Sequence, residues 1–361
     1  MGRSNLNCVI LAIAVVSLFE GKLHGQNAVP LRKQSEPSTL LADYIQPVQF
    51  NVQDRSLLGT PMSEAAKNNN GKQERPRTLL SWNLFKDDEA DDKNGDKNGK
   101  DENGDKNGKD KNGGEKKPSP LTSDRPDFTE SSATLGLGRV QVEMGWTYTW
   151  DRFEGTRRQT HTYPELLVRA GVFAEWFEIR LGQNWRTART TSEGVVTKLA
   201  GADDLYLGGR FMLTEQQKIL PEQSITFQMT VPSGGPDVSG KRVLPGFNYT
   251  FSWEVNDFFG IGGSLGMNAA TDNDGTDRPY SEWFSSVTTN YTLTEKLGAF
   301  AEFYAIMPHG ARGPDTVAQY YFDTGLQYML TPDLAFDVRI GVGLNRHSDD
   351  FFVGSGLVLR R

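Results

Sequence analysis

From Leu121 onward the chain alternates apolar and polar residues with a period of two. That period belongs to strands with one apolar face. Val140, Val142, Met144, Trp146, Tyr148 and Trp150 alternate with Gln141, Glu143, Gly145, Thr147 and Thr149. Ile225, Phe227, Met229 and Val231 alternate with Ser224, Thr226, Gln228 and Thr230, and Phe336, Val338, Ile340 and Val342 alternate with Asp337, Arg339 and Gly341. The pattern predicts about twelve strands between residues 121 and 361, each about ten residues long, the length that crosses a bilayer when tilted. Short turns are expected at 173–176, 256–258, 292–296 and 331–333, with a somewhat longer one at 214–223. Longer loops are expected near 151–161, 187–203, 232–244, 270–281, 307–318 and 345–350. Long and short connections alternate, as in outer-membrane barrels with short periplasmic turns and longer external loops.

A soluble β-sandwich also alternates. Two features favour the membrane. Trp146, Trp150, Trp176, Trp185, Trp253 and Trp283 sit near strand ends, where interfacial girdles belong. The polar faces carry Glu143, Arg169, Arg180, Arg210, Glu254, Glu302, Asp323, Asp337 and Arg339 in mid-strand. These suit a polar lumen and are the lumen-lining candidates. The fold expected is all-β: an antiparallel transmembrane β-barrel of about twelve strands behind a disordered N-terminal region.

The N-terminal third is different. Arg3 precedes an apolar run from Cys8 to Phe19. The run is too short to span a bilayer and fits a secretory signal over 1–25. Residues 26–120 are of low complexity, and 87–117 repeat Lys-Asn-Gly at Lys93, Lys97, Lys106 and Lys111. With almost no apolar side chain, 87–117 cannot repay the entropy of ordering and reads as a flexible linker. Calcium binding there lacks the closing bidentate Glu.

Composition narrows the function. The net charge of −7 gives no clustered basic surface for nucleic acid. Cys8 is the only cysteine, so there is no disulfide framework. A mean hydropathy of −0.53 excludes several apolar helical spans. It leaves a β-barrel open, because there only every second residue is apolar.

The stretch Asp124-Arg-Pro-Asp-Phe-Thr-Glu-Ser-Ser132 stands before the first strand, followed by Gly138-Arg-Val-Gln-Val-Glu-Met-Gly145. It resembles the opening of the outer-membrane barrel family named for the meta-pathway of phenol degradation. Pro164-Glu-Leu-Leu-Val-Arg169, Glu178-Ile-Arg-Leu-Gly182 and Asp349-Asp-Phe-Phe-Val-Gly-Ser-Gly356 are further echoes. The resemblance covers about 121–361 and implies an exported channel or transporter. The family's name fixes no solute. The chain departs from common outer-membrane practice in closing on Leu359-Arg360-Arg361 without a terminal aromatic.

Two readings of the opening stretch stand. In one, Asp124, Arg125, Asp127 and Glu130 form a luminal strap that pairs with the wall and narrows the pore. In the other they are a periplasmic lead-in whose Asp and Ser residues cap turns. The lumen charges also have two readings: pairs that stiffen the wall, or a ladder that selects solutes.

No enzymatic activity is expected. His161, His309 and His347 lie in expected loops, and His347-Ser348-Asp349-Asp350 has the residue types of a hydrolase triad without its spacing. No metal site or cofactor is expected, since no two His residues have ligand spacing. The expected role is passage of small solutes, aromatic or other small organic compounds among them, across the outer membrane. The expected partners are outer-membrane lipid and a small-molecule solute, with no nucleic acid. The rivals are an anchoring barrel with a plugged lumen, a hydrophobic-solute channel with a lateral gap, a lipid hydrolase and a soluble β-protein.

Overall fold

The computed structural model describes residues 121–272, 277–312 and 317–361. The expected signal over 1–25, the region 26–120 and its 87–117 linker lie outside the described residues.

Among the described residues, thirteen antiparallel strands make one sheet. They are β1 (Val140–Phe153), β2 (Thr156–Gly171), β3 (Phe177–Ser192), β4 (Val195–Ala202), β5 (Leu205–Thr214), β6 (Glu222–Val231) and β7 (Leu244–Asn256), then β8 (Phe259–Thr271), β9 (Pro279–Thr292), β10 (Leu297–His309), β11 (Gln319–Thr331), β12 (Leu334–Gly343) and β13 (Phe351–Arg360). β1 pairs with β13 and with β2, which closes the ring. β3 pairs with β5 along its first part, Phe177–Gly182, and with β4 along its second, Trp185–Ser192. Twelve strands therefore form the closed barrel, and β4 doubles the upper part of β3. Both Val140 and Arg361 sit at the short-turn end, joined by backbone hydrogen bonds of 2.8 and 2.9 Å. By the rule for such barrels this end faces the periplasm.

Two expected loops are strands instead. Residues 151–161 continue β1 and β2 through a tight turn at Glu154-Gly155, and 187–203 hold most of the β3–β4 hairpin, turning at Glu193-Gly194. All four turn residues have positive φ, from 46° to 82°, the geometry of a two-residue turn that matches strand twist. Above the apolar belt the outward positions of these hairpins are mostly polar, and of the inward ones Ala188 and Leu199 pack on Val238. Alternation therefore vanishes there, although the strands continue.

The register separates two faces. On β1, Val140, Val142, Met144, Trp146, Tyr148 and Trp150 face outward, and Gln141, Glu143 and Thr147 face inward. The outward set continues through Ile179 and Leu181, Phe227 and Met229, Leu326 and Tyr328, Phe336, Val338, Ile340 and Val342, and Leu357 and Leu359, all exposed. Such a continuous apolar belt needs lipid rather than water around it. Along β5–β13 no outward position carries a charge. That matters because Arg or Lys on the lipid face costs about 2–4 kcal/mol at the midplane. Trp146, Trp150, Trp185 and Trp283 lie toward the long-loop end, and Trp176 and Trp253 lie toward the short turns. The largest cluster of buried apolar side chains is inside the barrel: Phe128, Phe284, Tyr304, Ile306, Tyr321 and Phe352.

Candidate functional site: the lumen and the segment inside it

Every residue from Leu121 to Leu135 is buried, although the segment belongs to no strand. Leu121 packs on Met329, Ala335 and Val358 near the short-turn end. At its other end the Thr134 hydroxyl donates to the Glu175 carbonyl (2.7 Å), and the Leu137 N–H donates to Glu175 Oε2 (2.9 Å) in the turn between β2 and β3. The segment thus rises into the lumen from the periplasmic end, turns around Pro126–Phe128 and returns. Among the described residues, its hydrogen bonds to the strands use a side chain on at least one partner.

Its charges meet the wall in two places. The Asp124 carboxylate lies 3.0 Å from Arg210 Nη1 and 3.4 Å from Arg169 Nη1, and it also pairs with Arg180. Glu130 lies 2.6 Å from Arg210 Nη2 and 3.4 Å from Arg180 Nη2. Glu178 on β3 joins Arg169 at 2.9 Å and Arg180 at 3.1 Å, and Glu143 accepts the Asp124 N–H. Burial by itself raises the Asp124 pKa; the guanidiniums of Arg169, Arg180 and Arg210 overcome this and hold it at about 2. The second place is Arg125, which reaches Glu165 (2.7 Å), Asp337 (3.3 Å) and the Ser355 carbonyl (3.0 Å). Its guanidinium lies between Gly145 on β1 and Gly356 on β13, where a methyl group on either glycine would collide with it. Breaking a buried pair of either kind costs about 3–5 kcal/mol, because a charge is left uncompensated.

The apex is less charged. Pro126 offers its carbonyl to Arg339 (3.1 Å), and Asp127 accepts from Thr288 (3.1 Å). Glu302 accepts the N–H groups of Phe128 and Thr129, and Asp323 lies directly across from it on β11. Phe128 stacks on Tyr304 at 4.1 Å, and Tyr304 stacks on Tyr321 at 4.7 Å. On the return, the Ser132 hydroxyl lies 2.7 Å from both Glu222 and Ser252. The wall on that side is built of small hydroxyls, with Ser224 and Thr250 2.8 Å apart and Ser264 and Ser286 2.7 Å apart.

Of the lumen candidates, Glu143, Arg169, Arg180, Arg210, Glu302, Asp323 and Asp337 point inward and are buried, and Arg339 is half-buried. Asp124, Arg125, Asp127 and Glu130 lie among them. Glu254 does not: it is exposed at the periplasmic end of β7, and its backbone pairs with Gln216. The alternation gave the correct face, but the strand ends two residues later, so mid-strand was the wrong height. Sequence reasoning missed Glu165, Glu178, Glu222 and the glycine seat of Arg125. Their signal was present, since Glu165, Glu178, Gly145 and Gly356 all fall in stretches that carried the family resemblance.

The rim residues His347, Ser348 and Asp349 do not assemble a triad. Ser348 Oγ lies 2.9 Å from the Tyr320 carbonyl and 2.6 Å from Asn345 Oδ1, Asp349 pairs with Arg158, and His347 packs against Phe153. Among the described residues no group of three or more His, Cys, Asp or Glu side chains is arranged to hold a metal.

A closed antiparallel barrel, apolar outside and charged inside, with the residues that precede β1 in its lumen, defines an outer-membrane β-barrel. Residues 123–360, more than half of the chain, match the family described as "Putative MetA-pathway of phenol degradation", and the chain belongs to that family. Among solved structures it is similar to the COG4313 outer membrane channel from Pseudomonas putida F1, with a TM-score of 0.53 and 10% identity over 64% of this chain and 98% of that one. Weaker likenesses are the NanC porin (TM-score 0.40, 9% identity, 61% and 98% covered) and the CymD monoaromatic hydrocarbon channel (TM-score 0.34, 8% identity, 62% and 87% covered). At such identities the first likeness shows the fold alone. No curated protein matches the chain in sequence.

Proposed function

We propose that the chain is an outer-membrane channel for small solutes whose lumen is narrowed by the segment 121–135, with no enzymatic role. One observation carries this reading. The lumen is polar-walled, and what fills it is held by side-chain contacts, not by a strand ladder. A segment held in this way leaves the ring intact when it shifts. Asp124, Arg125, Asp127 and Glu130 are its anchors; Arg169, Arg180, Arg210, Asp337 and Arg339 are the wall side. The ring stack of Phe128, Tyr304 and Tyr321 gives one wall an apolar face, which suits aromatic or other small organic solutes. The similar barrel from Pseudomonas putida is itself described as a channel.

A second reading has its own support. The ion pairs of Asp124, Arg125 and Glu130 are short and buried, as in a permanently plugged anchoring barrel. Planar-bilayer recording of the full chain separates the two. A channel gives discrete conductance steps, and its proteoliposomes admit phenol or benzoate. A silent bilayer, with proteoliposomes no leakier than empty vesicles, refutes the channel.

A further inference from the structure

The outward face above the aromatic girdle differs between the two sides of the barrel. Along β5–β13 outward positions carry no charge. On the extended tops of β1–β4 they carry four cations. The register places Trp150, Gln159, Arg189 and Lys198 side by side in one row across the four strands. The next row up holds Arg152, Arg157, Thr191 and Val196. The row below holds Tyr148, His161, Thr187 and Ala200. Arg152, Arg157, Arg189 and Lys198 are all exposed, and no acid shares this face of the sheet.

Two of the neighbours are like-charged and directly opposite: Arg152 with Arg157, and Arg189 with Lys198. Such pairs destabilise a sheet unless something negative lies between them. Two of the nearby acids are engaged elsewhere, and Glu193 is exposed in the turn between β3 and β4. Glu154 pairs with Arg346, and Asp350 accepts the backbone N–H of Arg152. Arg157 and Arg189 are diagonal neighbours, about 7–8 Å apart at the backbone. Their side chains can converge on one phosphate-sized anion, and guanidinium forks match phosphate oxygens. Trp150 stands in the row of Arg189 and Lys198, and Trp146, Tyr148 and Trp185 lie below on the same face. Trp and Tyr mark headgroup level in a bilayer. The cations therefore stand at the height of the outer leaflet's phosphates, with the apolar belt below for acyl chains.

We propose that Arg152, Arg157, Arg189 and Lys198 form a binding site for the phosphate groups of an anionic, phosphorylated glycolipid in the outer leaflet. Charge complementarity and the aromatic and apolar surface beneath argue for a lipid over a soluble anion. The site lies outside the barrel and is independent of the channel reading.

The test uses the full chain in detergent micelles with diphosphoryl lipid A as probe, read by native mass spectrometry. The wild type is expected to retain diphosphoryl lipid A. Arg157→Gln/Arg189→Gln is expected to retain at least tenfold less, and Lys241→Gln/Arg242→Gln, on a different loop, to match the wild type. Heat-modified gel mobility confirms that each variant is folded; if the double variant does not fold, Lys198→Gln alone is read for a severalfold loss. Dephosphorylated lipid A is expected to bind poorly, and millimolar inorganic phosphate to compete weakly. Equal retention by the folded variants and the wild type overturns the proposal. So does equal binding of the dephosphorylated lipid, or displacement by inorganic phosphate as effective as by lipid A.

Discussion

Arg210 is a wall residue that holds two acids of the segment. Its Nη1 lies 3.0 Å from Asp124 and its Nη2 2.6 Å from Glu130, while its Nε bonds Thr226 on the wall and its Nη1 stands 3.7 Å from Glu178. Arg210→Gln therefore removes the contacts to Asp124, Glu130 and the Ala133 carbonyl and leaves the strand ladder untouched. The Arg210 side chain is fully buried, so solvent screening gives no relief. Removing one partner of a buried pair costs about 3–5 kcal/mol. Here the lower end applies, because Asp124 keeps Arg169 and Arg180 and Glu130 keeps Arg180 at 3.4 Å. About 3 kcal/mol is roughly a hundredfold shift from a seated toward a displaced segment. In planar bilayers the variant's open fraction is expected to rise by that order at constant voltage. Arg346→Gln is the control, because its pair with Glu154 is exposed on both sides and such pairs contribute little. An unchanged open fraction and step size in folded Arg210→Gln refutes the claim that ion pairs seat the segment. Asp124→Asn combined with Arg210→Gln adds a check: residues in contact should give a non-additive cycle.

Gly356→Val inserts atoms where the Arg125 guanidinium lies; it is expected to cost about 1–3 kcal/mol and to raise the open fraction, read by urea titration and conductance together. Phe128→Ala removes the ring stacked on Tyr304; it is expected to weaken seating of the apex by up to about 3 kcal/mol and to widen single-channel steps more than Arg210→Gln does. The Asp124 carboxyl has a pKa held near 2, below its ordinary value. Its contribution is therefore complete above the ordinary carboxylate range and is lost as pH falls through about 2. The stability difference between the wild type and Asp124→Asn, measured by urea titration, should stay constant from about pH 8 to 5 and shrink only below about pH 4.

How much of this was legible in the sequence depends on what each residue faces. The lipid belt and the inward charges were readable because a strand between hydrocarbon and a polar lumen must alternate. Arg169, Arg180 and Arg210 announced themselves in that way. The tops of β1–β4 were not readable, because both of their faces lie above the hydrocarbon and alternation has no cause there. Glu154-Gly155 and Glu193-Gly194 were the only local marks of those turns. The inner segment was half legible. Its residue types suggested pairing, but which wall groups it meets depends on closing the ring, and Arg125 finds Glu165 and Asp337 only because β1 and β13 become neighbours. Gly145 and Gly356 show the same limit from the other side. They are 211 residues apart in sequence, yet both flank the Arg125 guanidinium. Each looks like ordinary barrel glycine until that side chain is put between them. The glycines of the resemblance motifs are thus explained by the charge they leave room for, a reason that exists only in three dimensions.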